Sequence, residues 1–100
     1  MLIITGYMHV DPADLAQFMT ELDVLASATR KRPGSITYDA AAVDPLSGRL
    51  LISERWVDQA ALSAHLQAAD TVAFVSRWSG KMRGEIRKYD ALNERDVMDC

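Results

Sequence analysis

Two side chains capable of proton transfer, Glu54 and His65, lie close together in the middle of the chain. Glu54 belongs to a segment with the composition of a strand, and His65 shares one face of a predicted helix with Leu62 and Leu66. Histidine suits the role of general base because its reference pKa lies near neutrality. A carboxylate paired with the ring fixes its tautomer and raises its basicity. We therefore predict a catalytic pair, with a purely structural histidine bonded to Glu54 or to a backbone carbonyl as the alternative.

Aromatic and basic residues occur near this pair and on the elements expected to surround it. The residues predicted to contact a substrate are Trp56, Tyr7, Tyr38, Trp78, Arg55 and Arg87. The tryptophans could form aromatic walls, the tyrosines could donate phenolic hydrogen bonds, and the arginines could hold an anionic group. Each also has a structural alternative, which is core packing for the aromatic residues and cross-strand ion pairing for the arginines.

The hydrophobic periodicity predicts four strands and three helices that must position these residues. The first helix is expected to be capped by Asp11, to begin at Pro12 and to stop at 32–34. A third helix is expected to be capped by Asp70 and to end at Gly80. The remaining predicted elements are strands at 2–10, 35–43, 50–57 and 85–93 and a helix at 59–67 that is expected to be capped by Asp58. The turn at 44–49 is rich in turn-forming residues and predicts a hairpin between the second and third strands.

This order, β-α-β-β-α-α-β, predicts an α+β fold of the ferredoxin-like, split βαβ type, with a four-stranded antiparallel sheet and helices on one face. We expect a single domain at 1–100, with its core at about 2–93 and a polar tail at 94–100. The uncovered face of the sheet is too apolar for water. Its expected apolar residues are Ile3, Tyr7, Leu51, Val57, Tyr89 and Ala91. We therefore predict a homodimer joined through sheet faces.

Composition narrows the expected partners. The formal net charge is −3, and the only basic run, Arg30-Lys31-Arg32, falls where cations complement a helix C-terminus, so no nucleic-acid partner is predicted. No apolar run approaches the roughly 20 residues of a membrane span, and no signal peptide is evident, so we expect no membrane partner. The single cysteine, Cys100, permits no internal disulfide, and no metal-ligand spacing occurs. These features favour a cytoplasmic protein without a metal.

Three segments carry a resemblance to a known family: the Glu54-Arg55-Trp56 strand end, the Ala61-Leu62-x-x-His65 helix and the first helix ending in 30–34. Together with the strand order, they resemble the antibiotic biosynthesis monooxygenase (ABM) domains. That family forms dimeric α+β barrels with a pocket between sheet and helices. Several members oxygenate phenolic, anthrone-like or quinol-like molecules without metal or flavin. The resemblance therefore implies a cofactor-free monooxygenase acting on a small aromatic or quinol-like substrate and dioxygen.

Other branches of the same superfamily suggest other activities. Haem degradation would need an asparagine on the first strand, which is absent here, and a ligating histidine where this chain has Val75 or Ser76. An isomerase of a small polar or phosphorylated metabolite would require Arg55 and Arg87 to face the pocket. A non-catalytic dimer that binds a small ligand is a third possibility, since fold does not imply function.

Overall fold

The computed structural model of the protein describes residues 1–99 and confirms the α+β, ferredoxin-like fold. The elements in chain order are β1 (Leu2–Val10), α1 (Leu15–Thr29), β2 (Ser35–Asp44), β3 (Arg49–Trp56), α2 (Gln59–Gln67), α3 (Ala69–Trp78) and β4 (Met82–Asp90). A 3-10 turn at Pro12–Asp14 precedes α1. Cys100 lies outside the described residues, so no structural role is assigned to it.

The four strands form one sheet in the order β2-β3-β1-β4, and all neighbours are antiparallel. Because successive side chains of a strand point to opposite faces, Ile52, Glu54 and Trp56 share the face covered by the helices. Tyr7 and Leu51 are paired in register on the opposite face. The sheet therefore separates the covered core from an open face with exposed aromatic and aliphatic side chains.

Two predicted caps are present. The Asp11 carboxylate accepts a hydrogen bond from the Ala13 N–H at 2.9 Å, and the Asp58 carboxylate accepts one from the Ala61 N–H at 2.9 Å. Asp58 therefore satisfies one of the backbone donors that a helix N-terminus leaves without an intrahelical partner. This bond fixes the start of α2, the helix that carries His65.

Two predicted boundaries are wrong. Asp70 does not cap the third helix, because Ala68 occupies the N-cap position and the Asp70 side chain lies inside the first turn, bonded to Arg32. The fourth strand begins at Met82 and ends at Asp90, three residues earlier than predicted at both ends. It does so because β4 pairs with the whole of β1, from Val10 opposite Met82 to Leu2 opposite Asp90.

The core lies between the sheet and the helices. Phe18 of α1 is almost fully buried, and its ring packs at 5.0 Å against the Trp78 ring of α3 in an edge-on arrangement. Leu22 and Leu25 extend the same buried face of α1. None of the helices within residues 1–99 is long and apolar enough to cross a membrane.

Candidate functional site

A cavity of about 380 Å³ lies between the sheet and the three helices. Its walls are mainly apolar, with Ile4, Phe18, Leu22, Ile52 and Phe74 among them. A small set of polar side chains also reaches it: Tyr38, Glu54, His65 and Thr71. An apolar cavity of this size with a few converging polar groups is typical of a small-molecule site.

Glu54 is a carboxylate in the apolar wall, with only 8% of the residue exposed. Its Oε1 atom accepts a hydrogen bond from the Trp56 indole N–H at 3.0 Å, and Oε2 has no hydrogen-bond partner among the described residues. Burial raises the pKa of Glu54 above its ordinary value, although the Trp56 hydrogen bond opposes the shift. Glu54 is therefore a stronger base, when ionised, than an exposed glutamate.

His65 lies between two aromatic rings. Its imidazole stacks on Trp56 with ring centroids 5.0 Å apart and meets the Tyr38 ring edge-on at 5.6 Å. Burial and the neighbouring Arg32 charge lower the pKa of His65 to about 4, and the carboxylate of Asp70 only partly opposes them. His65 is therefore neutral near physiological pH.

The predicted hydrogen bond between His65 and Glu54 is not formed. Instead, the His65 Nδ1 atom lies 2.6 Å from the Arg32 Nη1 atom, and Glu54 bonds to Trp56. The stacking of the imidazole on Trp56 leaves Nδ1 directed at Arg32 and Thr71, whose hydroxyl oxygen is 3.4 Å away. The two candidate catalytic groups share the cavity, but each has its own supporting partner.

Tyr38 also lies where a substrate could reach it. Tyr38 stands opposite Glu54 in the β2–β3 register, and its side chain is buried in the cavity wall. Burial and the nearby Glu54 charge raise the pKa of the Tyr38 phenol, so it remains a hydrogen-bond donor. Arg87 of the edge strand β4 is also among the lining residues, but the alternation of β4 directs its side chain, like that of Tyr89, to the open face of the sheet.

Four other predicted contact residues lie outside the cavity lining. Trp56 is fully buried behind His65. Trp78 packs against α1, where its indole N–H donates to Glu21 at 3.3 Å. Tyr7 lies on the opposite face of the sheet beneath the Arg49 guanidinium, and Arg55 is bonded to the Glu94 carboxylate at 3.0 Å.

Sequence analysis missed Arg32 and Thr71 as site residues. The sequence predicts that Arg32 is a cation complementing a helix C-terminus. In the structure, its guanidinium contacts His65, Thr71 and Asp70. The Pro33-Gly34 turn ends the preceding helix and places Arg32 at this point, but nothing in the residue types shows the direction of its side chain. The sequence does not indicate Thr71 as a site residue, because a lone threonine in a predicted helix is common.

The structure is that of an α+β protein with an apolar cavity between its sheet and its helices. A family model described as "Antibiotic biosynthesis monooxygenase" matches residues 1–77, and the chain belongs to that family. It is similar over 77 residues, at 26% identity, to the "Putative monooxygenase YcnE" of Bacillus subtilis (strain 168). The match covers 77% of this chain and 81% of that relative. These matches support a monooxygenase-like function for the chain.

Solved structures show the same fold. A "putative antibiotic biosynthesis monooxygenase" from Deinococcus radiodurans superimposes with a TM-score of 0.87 at 23% identity, covering 99% of this chain and 100% of that one. The protein of the same description from Nitrosomonas europaea gives a TM-score of 0.82 at 18% identity, over 93% of this chain and 100% of that one. The arrangement of sheet and helices around the cavity is thus shared with these proteins.

Proposed function

We propose that this protein is a cofactor-free monooxygenase that oxidises a quinol, an anthrone or a related phenolic molecule with dioxygen. One observation carries the proposal: a buried carboxylate, Glu54, and a neutral histidine, His65, reach the same apolar cavity. Family membership supports oxygenation as the reaction type. The size of the cavity, about 380 Å³, suits a compact aromatic molecule.

The chemistry needs a base, a stabilised anion and little water. Loss of a proton from an anthrone or phenol gives an electron-rich anion that can pass one electron to dioxygen. The two resulting radicals combine to form a carbon–oxygen bond, and the peroxide anion takes up the proton that the base removed, which gives a hydroperoxide. Loss of water from the hydroperoxide then leaves a carbonyl group. One oxygen atom enters the product and the other leaves as water, and the substrate supplies all the electrons.

The geometry supports different roles for the two catalytic candidates, Glu54 and His65. Glu54 takes the substrate proton, because burial raises its pKa and one carboxylate oxygen is without a protein partner. His65 stabilises the developing oxyanion as a hydrogen-bond donor, since its Nδ1 is occupied by Arg32. Tyr38 adds a phenolic donor in the same wall. This assignment replaces the role of base that we first expected for His65.

The test is oxygen uptake with anthrone, without added metal or flavin. We expect uptake above the spontaneous background for the wild type and a loss of about 100-fold or more in Glu54→Gln, the range typical for removal of a general base. Turnover should rise with pH through the raised pKa of Glu54, because only the ionised carboxylate accepts a proton. His65→Ala should also lose most of its activity. Asp23→Asn, which removes an exposed carboxylate of α1, is the matched control and should retain full activity.

Other outcomes would favour the other functions. Tight binding of anthrone without oxygen uptake by folded protein would contradict catalysis and support a ligand-binding role. An isomerase of an anionic metabolite has less support, because Arg55 is bonded to Glu94 and strand alternation directs the Arg87 side chain to the open face of the sheet. Unchanged uptake in Glu54→Gln would remove Glu54 from the mechanism.

We also propose that the protein forms a homodimer through the open face of the sheet. Tyr7, Leu51 and Tyr89 are all exposed on this face, by 36–53% of their surface. Large exposed apolar side chains at several positions on one sheet face are typical of a surface that another protein covers. The two sheets would then enclose one apolar layer, with the cavities on the outer sides.

A further inference from the structure

Arg32 is held in one position by four neighbours. Its Nη1 donates to the Thr29 hydroxyl oxygen at 3.0 Å and to the Thr71 hydroxyl oxygen at 3.3 Å, and lies 2.6 Å from His65 Nδ1. Its Nη2 bonds to the Asp70 carboxylate. The four partners come from α1, α2 and α3, so the guanidinium joins the ends of all three helices.

Two of the partners of Arg32, Thr29 and Asp70, are themselves held by hydrogen bonds. The Thr29 hydroxyl donates to the Leu25 carbonyl at 2.7 Å, which leaves its oxygen lone pairs to accept from Arg32. Asp70 also accepts the Thr71 N–H at 2.9 Å. Partial burial alone would raise the pKa of Asp70, but the hydrogen bond and charge of Arg32 hold it below the ordinary value. An ionised Asp70 therefore anchors the guanidinium.

This contact decides which nitrogen of His65 carries the proton. A guanidinium has five N–H donors and no acceptor, and it stays protonated in proteins. At 2.6 Å from Arg32, Nδ1 cannot also carry a hydrogen without setting two donors against each other. In the neutral imidazole, the proton must then be on Nε2. Nε2 makes no hydrogen bond to any residue in the part of the chain that the structure describes.

We propose that Arg32 is a positioning residue that locks His65 as an Nε2–H donor to an oxygen atom of the ligand in the cavity. The effect of Arg32 on catalysis rests on the proposed function. The Nε2–H tautomer of His65 does not, because it follows from the contact with Arg32. His65 and Tyr38 both line the cavity and their rings meet edge-on, so the two donors could bind one carbonyl or phenolate oxygen together. Glu54 on the adjacent strand remains to take the proton. The site would therefore favour ligands with an oxygen atom beside the acidic position, as in anthrones and quinols.

The tautomer can be measured without turnover. Protein with isotope-labelled histidine would be studied by NMR spectra that correlate the ring nitrogens of His65 with its carbon-bound protons near neutral pH. We expect an unprotonated Nδ1 and a protonated Nε2 in the wild type. Arg32→Met should give a mixture of both tautomers, because no donor then holds Nδ1. Arg32→Lys retains a donor-only cation and should preserve the Nε2–H form, and Lys31→Met, which removes an exposed charge from the same turn, should match the wild type.

Oxygen uptake with anthrone supplies the second readout. Arg32→Met should lower kcat/KM by about tenfold, the factor expected for one weakened hydrogen bond, with Arg32→Lys recovering most of the loss. A wild-type spectrum showing a proton on Nδ1 would overturn the inference, even if no variant folds. If the wild type has the Nε2–H form but does not consume oxygen, the proposed function fails and the positioning role of Arg32 stands. Equal tautomer populations in the wild type and in folded Arg32→Met would reject that role.

Discussion

Burial of a neutral histidine couples the stability of this fold to pH. The pKa of His65 is about 4 in the folded protein and near 6.5 in the unfolded chain, so the unfolded state binds more protons between these values. The stabilisation is fully present above pH 6.5 and is lost as the pH falls toward 4. Each pKa unit corresponds to about 1.4 kcal/mol. We therefore expect the free energy of unfolding to fall by about 3 kcal/mol across this range through His65 alone.

Urea unfolding of the wild type and of His65→Asn at several pH values would test this coupling. The difference in free energy of unfolding between the two proteins should narrow as the solution becomes more acidic, because Asn does not titrate. His9→Asn provides the control, since the other histidine of the chain lies on β1 outside the cavity lining. Identical pH slopes for the wild type and His65→Asn would show that His65 titrates normally.

At the same scale, sequence reasoning identified some residues of the site and not others. Glu54, His65 and Tyr38 reach one cavity because strand alternation and helix spacing place them on facing surfaces, and both periodicities can be seen in the sequence. The partner of His65 could not be predicted. Which nitrogen faces which neighbour depends on the stacking of the ring on Trp56, and that depends on packing in three dimensions.

The turn between α1 and β2 depends on Gly34, whose φ of +84° favours glycine. A Cβ atom there would overlap the Ala61 Cβ and lie 2.9 Å from the Val57 Cγ2. Gly34→Ala should therefore suffer both a backbone penalty of about 1–2 kcal/mol and a further packing cost of about 1–3 kcal/mol. Because Arg32 lies two residues away, the same change should displace it from His65.

The Gly80→Ala variant separates the backbone penalty from the packing cost in the stability lost by Gly34→Ala. Its φ is +79°, nearly the same as at Gly34, but no atom lies within 4 Å of the added Cβ. It should show the backbone penalty alone in urea unfolding. If both variants lose equal stability, the close packing of Gly34 on α2 contributes nothing.

Most elements could be predicted, because their boundaries depend on local chemistry. Caps such as Asp58 and turns such as 44–49 act through neighbouring residues, which the sequence displays. The errors at Asp70 and at the start of β4 have a non-local origin. Asp70 bonds to Arg32 across the fold, and β4 begins where Val10 of a distant strand offers a partner to Met82. Propensity alone cannot anticipate either contact.

At the scale of the whole molecule, the open face of the sheet would be exposed in a monomer and covered in the proposed dimer. Val57 and Ala91, two of the residues first expected there, lie just beyond the ends of β3 and β4. Tyr7 and Leu51 lie opposite each other near one end of β1, and Tyr89 lies opposite Ile3 near the other end. Arg55 lies on the same face and is bonded to the Glu94 carboxylate within the chain, so it need not block a second sheet.

Light scattering after size-exclusion chromatography should give the mass of a dimer for the wild type. Leu51→Asp should shift the protein toward a monomer, because it would bury a carboxylate without a partner between two sheets, at a cost of several kcal/mol. Val24→Asp is the matched control, since Val24 is 71% exposed on α1, away from the sheet, and this variant should remain dimeric. A wild type that elutes as a monomer would contradict the dimer, and a folded Leu51→Asp that stays dimeric at low concentration would place the interface elsewhere. Uptake of oxygen by monomeric Leu51→Asp would further show that each cavity works within a single chain.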